Sequence, residues 1–205
     1  MKKYFSTVFA LFCFAALIIC IGTSNVSPID SATLYGKVLR LHVLANSDSE
    51  EDQMLKYKVR DGLLGCTRDL FYDCESVNEA LDVAKRNKRI LEKTANDVLL
   101  QNGCIKKAAV VIGKEDYPEK KYGSLTFPQG EYLSVRVLIG DGKGKNWWCV
   151  LFPPLCNAGV EDGARVLSSY GIDEKEIEKL ERENDGGGIE ILGCRVKLKI
   201  LEFFE

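Results

Sequence analysis

The sequence is short of the residues on which most enzymes rely. Its 205 residues include one histidine, His42, so any Ser-His or Cys-His mechanism would have to use this side chain. His42 lies between Leu41 and Val43 in an alternating run, which is typical of a strand histidine that is hydrogen-bonded at the surface of a sheet or under a helix. No two acidic residues can be identified as the carboxylate pair that a hydrolase would need, because helix caps and solvent-exposed faces account for most of the aspartates and glutamates. We therefore predict no catalytic residue, no cofactor and no enzymatic activity.

Three other features are missing. The glycine-rich residues 140–144 lack the Gly-Lys-Ser/Thr ending and the following helix of a phosphate-binding loop, which argues against nucleotide binding. No Cys-x-x-Cys pair occurs, and a zinc site would need His42 or Cys194 to complete its shell, so no metal site is predicted. The formal net charge is −2 and no basic block is present, which excludes nucleic acid as an expected partner.

The N-terminus has the pattern of an export segment. Lys2 and Lys3 precede an unbroken apolar run over residues 8–21, the length of a signal-peptide core and short for a full membrane span. Cleavage after Ser24 and an uncleaved membrane anchor both fit this pattern. We predict an exported protein with a signal peptide or anchor at residues 1–24, a linker at 25–36 and a folded domain at 37–205, with membrane contact only through the N-terminal segment.

Outside the cytoplasm, the cysteines of an exported protein can form structural disulfides. Removal of Cys13 and Cys20 with the export segment leaves six of the eight cysteines, an even number compatible with disulfides outside the cytoplasm. Cys149 and Cys156 form the favoured pair, and closing so short a loop would contribute about 2 kcal/mol. Two buried free thiols, or a zinc site, are the alternatives.

Two helices are predicted from the capping residues at their N-termini. Ser49 with Asp52, and Ser76 with Glu79, have the spacing of capping boxes, in which the first side chain bonds the backbone N–H three residues on. The first helix follows a strand at residues 37–45 and leads to a connection at 65–75. The second carries an apolar stripe and ends at residues 102–103.

The remainder of the chain alternates in the manner of strands. Strands are predicted at residues 108–112 and 131–139, and the glycine-rich residues 140–145 then favour a hairpin that returns antiparallel. Short helices at 162–170 and 173–182 and a last strand at 194–200, joining the same sheet, complete the order. The chain is therefore predicted to be a single α+β domain with a mixed or mostly antiparallel sheet and two main helices on one side.

Residues 140–156 contain the highest concentration of residues that restrict local structure. They contain both tryptophans, a Pro-Pro pair and two cysteines. Adjacent side chains on a strand face opposite sides, so Trp148 is expected to share the core with Val150 and Phe152, and Trp147 to contact a partner. Large rigid aromatics are favoured in protein contacts. The predicted partner-binding residues are Asn146, Trp147, Trp148, Pro153 and Pro154.

Residues 38–156 resemble the stage II sporulation protein R family. The resemblance is weak after Cys156 and absent before Leu34. The motifs that carry it are residues 39–49 (LRLHVLANSDS) with Glu51-Asp52-Gln53, Leu55-Lys56 and Val59-Arg60-Asp61, then Tyr122-Gly123, Phe127-Pro128, Gly130-Glu131-Tyr132 and Val135-Arg136-Val137, and finally residues 140–156.

The resemblance implies a signalling role in spore formation. Proteins of this family are exported from the forespore into the space between the two septal membranes. There they activate a membrane-embedded aspartic protease of the mother cell, the stage II sporulation protein GA, which processes the precursor of sigma-E.

The alternative function is an extracytoplasmic enzyme that uses Cys149 and His42.

Overall fold

The computed structural model describes residues 34–156, 162–184, 189–191 and 194–196. The predicted export segment at residues 1–24 and most of the predicted linker lie outside these ranges. The helices are α1 (Glu50–Leu70), α2 (Val77–Arg86), α3 (Lys88–Gln101), α4 (Gly163–Ser169) and α5 (Glu174–Asn184). The strands are β1 (Leu39–Leu44), β2 (Ala108–Tyr117), β3 (Lys120–Tyr122), β4 (Leu125–Phe127), β5 (Gly130–Ile139), β6 (Asn146–Phe152), β7 (Ile189–Ile191) and β8 (Cys194–Val196).

Four strands form a mixed sheet in the order β2-β5-β1-β6. β5 runs parallel to β1, whereas β2 pairs antiparallel with β5 and β6 pairs antiparallel with β1. The predicted α+β class is therefore confirmed. The predicted β5–β6 hairpin is wrong, because β1 lies between these two strands and residues 140–145 cross the end of β1.

The sequence of β1 explains its central position. Leu39, Leu41 and Val43 point into the core beneath the helices, and Arg40 and His42 point to the opposite face. All five side chains are buried. A strand covered on both faces and paired on both edges is the natural centre of the sheet.

Helices α1, α2 and α3 cover the first face. The predicted capping interactions are present: Ser49 Oγ accepts a hydrogen bond from the backbone N–H of Asp52, and Ser76 Oγ accepts one from that of Glu79. The connection predicted at residues 65–75 is shorter, because α1 continues to Leu70.

The long second helix predicted from residue 76 is two helices, α2 and α3. They are separated at Asn87, whose side-chain amide donates to the carbonyl oxygen of Val83. Asparagine competes in this way for backbone hydrogen bonds, so it favours helix ends over helix interiors. The uninterrupted apolar stripe concealed this break.

The second face is covered at one end by β3, β4, α4 and α5, which supply a second apolar core. Arg40 is wholly buried there, with its guanidinium carbon 4.1 Å from the ring centroid of Tyr117 and 4.7 Å from that of Tyr132. Its Nη2 donates to the hydroxyl of Tyr122 at 2.8 Å. Alternation places Arg40 on this face, but nothing in the sequence indicated that aromatic rings would enclose it.

The C-terminal region differs from expectation. The short helices predicted after residue 162 are confirmed as α4 and α5. The last strand was expected to join the main sheet, but its described part, β8, pairs only with β7 in a separate two-stranded sheet. Leu198 and Ile200 lie outside the described residues. Alternation specifies a strand without specifying its neighbour, which explains the error.

Candidate partner-binding site

The segments that the sequence singled out meet at one end of the sheet. Residues 45–49, after β1, pack against residues 140–145, before β6, and we call these two segments the junction. The backbone N–H of Gly144 donates to the carbonyl oxygen of Ala45 at 2.9 Å. The side-chain oxygen of Asn46 accepts a hydrogen bond from the backbone N–H of Asp141 at 3.0 Å. The junction therefore fixes where β6 begins.

Gly140 and Gly144 show why the junction is rich in glycine. Gly140 has a φ of 56°, a conformation that side chains other than glycine rarely adopt. A Cβ on Gly144 would overlap the backbone carbonyl of Ser47 and lie 2.9 Å from the Cβ of Ala45. The glycine-rich sequence thus allows two backbone segments to approach closely.

Asp52 anchors the junction from the first turn of α1. Its carboxylate accepts hydrogen bonds from Asn46 Nδ2 at 2.8 Å and Ser47 Oγ at 2.6 Å, and Lys106 Nζ lies 3.3 Å away. The hydrogen bonds from Asn46 and Ser47 outweigh the opposing effect of burial and lower the pKa of Asp52 to about 2.

This lowered pKa predicts acid sensitivity. Because the pKa of Asp52 falls from 3.8 to about 2 on folding, its stabilisation is complete above the unfolded value and is lost as pH falls through about 2. We expect Asp52→Asn to reduce the free energy of unfolding by on the order of 2 kcal/mol at neutral pH, and by progressively less below pH ~4.

Urea unfolding at several pH values checks this prediction. Asp69→Asn, which changes an exposed carboxylate at the other end of α1, is the control and should change stability little at any pH. A deficit of Asp52→Asn that does not shrink in acid would contradict the assigned role.

Lys56 secures the junction to α1 from within. It is buried, and its Nζ donates to Gln53 Oε1 at 2.6 Å and to the carbonyl oxygen of Lys145 at 3.2 Å. Burial lowers the pKa of Lys56. The end of the junction, immediately before β6, is thereby held against the helix.

The two tryptophans lie on opposite faces of β6, as predicted. Trp147 packs against the helix-side core beneath Arg60, whose guanidinium carbon is 5.1 Å from the indole centroid. Trp148 packs with Val150 in the second core. Both indoles are half-buried, so they do not differ in burial as a core and a surface tryptophan were expected to differ. Each face of the sheet has its own core, which gives each indole something to pack on.

Phe152 does not share a face with Trp148. Phe152 belongs to the helix-side core, because the β1–β6 register shifts between Leu39 and Arg40. The irregularity places one more residue on β6 than on β1 and reverses the alternation after Val150. The prediction that Trp148, Val150 and Phe152 lie on one face is wrong for Phe152.

A polar cluster that the sequence did not predict fixes the ring of His42. Nδ1 of His42 lies 2.9 Å from Glu115 Oε1, and Nε2 lies 2.9 Å from Asn146 Oδ1. Ser134 donates to Glu115 at 2.9 Å, and Arg136 Nη1 is 3.3 Å from it. Burial raises the pKa of Glu115, but the hydrogen bonds from His42 and Ser134, with the charge of Arg136, outweigh it and lower the pKa.

This cluster positions Trp148. The His42 ring stacks on the indole with centroids 3.5 Å apart and an interplanar angle of 20°. His42 and Trp148 are direct partners in the β1–β6 register, which explains the close approach. The only sequence signal for Glu115 was the alternation of β2, and the predicted strand stopped at Ile112, three residues short of it.

A rigid corner ends β6. Cys149 and Cys156 form a disulfide with Cα atoms 5.7 Å apart, as the sequence predicted. Between them, Pro153 is buried and Pro154 is exposed. Of the two prolines proposed to contact a partner, Pro154 therefore offers its side chain, while Pro153 shapes the corner. Cys66 and Cys74 are both free thiols.

The disulfide should make its two cysteines act as one unit. We expect Cys149→Ser, Cys156→Ser and the double variant each to lose ~2 kcal/mol of the free energy of unfolding, because one substitution already breaks the bond. Thermal melts of the three variants measure this, with mass spectrometry of alkylated, unreduced protein as the direct check. Additive losses, or alkylation of both thiols in the wild type, would contradict the bond.

The alternative enzyme based on Cys149 and His42 does not fit this geometry. Cys149 pairs with Leu41 across β1 and so faces the helices, whereas His42 faces the opposite side of the sheet. The Cys149 sulfur is also bonded to Cys156. These two residues cannot act as a nucleophile and its base.

Two structural features are absent from the described part of the chain. Within it, no group of three or more histidine, cysteine or acidic side chains is arranged to hold a metal ion. Within the same ranges, no helix combines the length and the apolar character needed to cross a membrane.

The fold and this site define a class of protein: an α+β domain whose glycine-rich junction fixes an outer strand bearing two tryptophans and ending in a disulfide-bonded corner. The family profile for stage II sporulation protein R matches residues 35–162. The stage II sporulation protein R of Bacillus subtilis (strain 168) is 33% identical over 161 residues, covering 78% of this chain and 70% of that protein. The chain belongs to the stage II sporulation protein R family, and its role lies in sporulation. No solved structure matches it.

Proposed function

We propose that this chain is an exported signal that activates a membrane-embedded aspartic protease, the stage II sporulation protein GA, which then processes the precursor of sigma-E. The chain acts in the space between the forespore and mother-cell membranes, and its N-terminal segment is its only contact with a membrane. It works by contact with the protease and not by catalysis, and it needs no cofactor.

The exposure of side chains along β6 and its corner is the observation that supports this proposal. Asn146 and Pro154 are exposed at the two ends of the segment, and the indoles of Trp147 and Trp148 are half-exposed on its two faces. Junction, polar cluster and disulfide hold these groups in place before any partner arrives. Preorganised aromatic groups lose little conformational entropy on docking, so they suit a protein contact.

Deletion of the gene in its sporulating host tests the proposed function. We expect the precursor of sigma-E to accumulate uncleaved, and expression of the intact chain in trans to restore cleavage. Immunoblotting of the precursor through sporulation provides the measurement. Normal processing in the deletion strain would overturn the proposal.

A further inference from the structure

β6 is one of the two outer strands of the described four-stranded sheet, and only part of its outer edge is covered. The carbonyl oxygen of Val150 accepts a hydrogen bond from the backbone N–H of Cys156 at 3.2 Å, so the chain beyond the proline corner folds back beside β6 at this point. Backbone groups two residues apart on a strand point the same way, which directs the N–H and C=O of Trp148 and Asn146 outwards. Within the described residues no strand pairs with this edge.

A cavity lies beside the corner, on the helix side of β6. Its volume is about 210 Å³. Its lining is mainly apolar and includes Leu64, Phe71, Leu151 and Pro154. Tyr72, which is 82% exposed, forms part of its rim. A side chain from a segment lying along β6 could enter this cavity.

Two arginines place positive charge on the helix side of β6, near its outer edge. Arg60 lies over Trp147, and Arg68, two helical turns further along α1, lines the cavity. Arg60 is paired with its neighbour Asp61, whereas Arg68 makes no ion pair with any residue that the structure describes. This charge favours an acidic group on whatever lies beside β6.

We propose that the protease adds an extended segment to the outer edge of β6 as a further strand. The segment pairs its backbone with Asn146 and Trp148, places an apolar side chain in the cavity and a carboxylate beside Arg68. Strand addition uses main-chain hydrogen bonds for affinity and alternate side chains for specificity. The free edge supplies the first, and the cavity and the positive charge supply the second. The inference rests on the proposed function, because it takes the protease as the partner.

Hydrogen exchange resolved to single amides tests the pairing. The full chain is compared alone and in membranes containing the protease, with co-purification as a separate measure of binding. On binding, we expect the amides of Asn146 and Trp148 to exchange at least tenfold more slowly. The amides of Trp147 and Cys149, which point inwards towards β1, should change little.

The outcomes separate the two proposals. Binding with unchanged exchange at Asn146 and Trp148 overturns strand addition and leaves the proposed function standing. Absence of binding overturns both. Slow exchange of these amides before the protease is added would mean that a second copy, or another part of this chain, already occupies the edge, which also overturns strand addition.

Matched substitutions test the side-chain contacts. We expect Tyr72→Ala and Arg68→Glu each to weaken co-purification with the protease at least fivefold without changing the melting temperature. Ile105→Ala, at a side chain that is 91% exposed, and Arg165→Glu, at an exposed arginine of α4, are the controls and should bind like wild type. Equal binding by all four variants would overturn the proposed cavity and charge contacts.

Discussion

Gly144→Ala should destabilise the fold by about 3 kcal/mol, because the new methyl group would overlap the backbone carbonyl of Ser47. A flexible side chain could rotate away, but this carbonyl belongs to the segment that leads into α1. Relief would require the junction to separate, with loss of the hydrogen bond from Gly144 to Ala45. Urea unfolding of the purified variant measures the loss.

Gly65→Ala is the matched control. Gly65 lies inside α1, and a Cβ at this position would meet nothing within 4 Å. We expect this variant to gain about 0.5–1 kcal/mol, because alanine loses less backbone entropy in a helix than glycine does. A Gly144→Ala protein with the unfolding midpoint of the wild type would show that the junction tolerates the methyl group.

Local physics explains the parts of the fold that could be predicted. The caps at Ser49 and Ser76 need only a side chain and a backbone N–H three residues on, and both are present. The alternation of β1 depends only on the two-residue period of a strand. The bond between Cys149 and Cys156 closes a short loop. None of these features needs knowledge of distant residues.

The parts that could not be predicted depend on contacts between distant residues. The glycine-rich residues 140–145 suit a hairpin, and only the parallel pairing of β1 with β5 shows that β1 separates β5 from β6. Glu115 is 73 positions from His42 in the sequence, and Tyr122 is 82 positions from Arg40. Single-sequence patterns carry no information on such pairs.

The same limit applies to the candidate site. The sequence identified Trp147, Trp148 and Asn146 as a group and predicted opposite faces for the two indoles. It did not show that His42 supports Trp148 or that Asn146 bonds His42, because these contacts depend on the register of β6 against β1. The site was thus predicted as a segment, while its supporting residues emerged only from the fold.

Alanine substitution should separate the two tryptophans. Trp148→Ala removes the ring stacked on His42 and packed 4.6 Å from Tyr117, so we expect a loss of about 3 kcal/mol in the free energy of unfolding. Trp147→Ala removes a half-exposed indole and its contact with Arg60, and should cost only about 1 kcal/mol. We expect Trp147→Ala to fold but to lose on the order of 2 kcal/mol or more of binding to the protease, as a hot-spot residue does.

Thermal melts, co-purification with the protease and processing of the sigma-E precursor give the three readouts. Trp148→Phe keeps a ring on His42 and should recover most of the stability lost in Trp148→Ala, whereas Trp147→Phe should recover part of the binding. A stable Trp147→Ala protein with full binding and processing would remove Trp147 from the contact surface. If both alanine variants unfold, the two indoles are structural, and partner recognition must lie elsewhere on β6. If Trp148→Ala is the stable, inactive variant instead, the indoles exchange roles, and the contact lies on the face that carries His42.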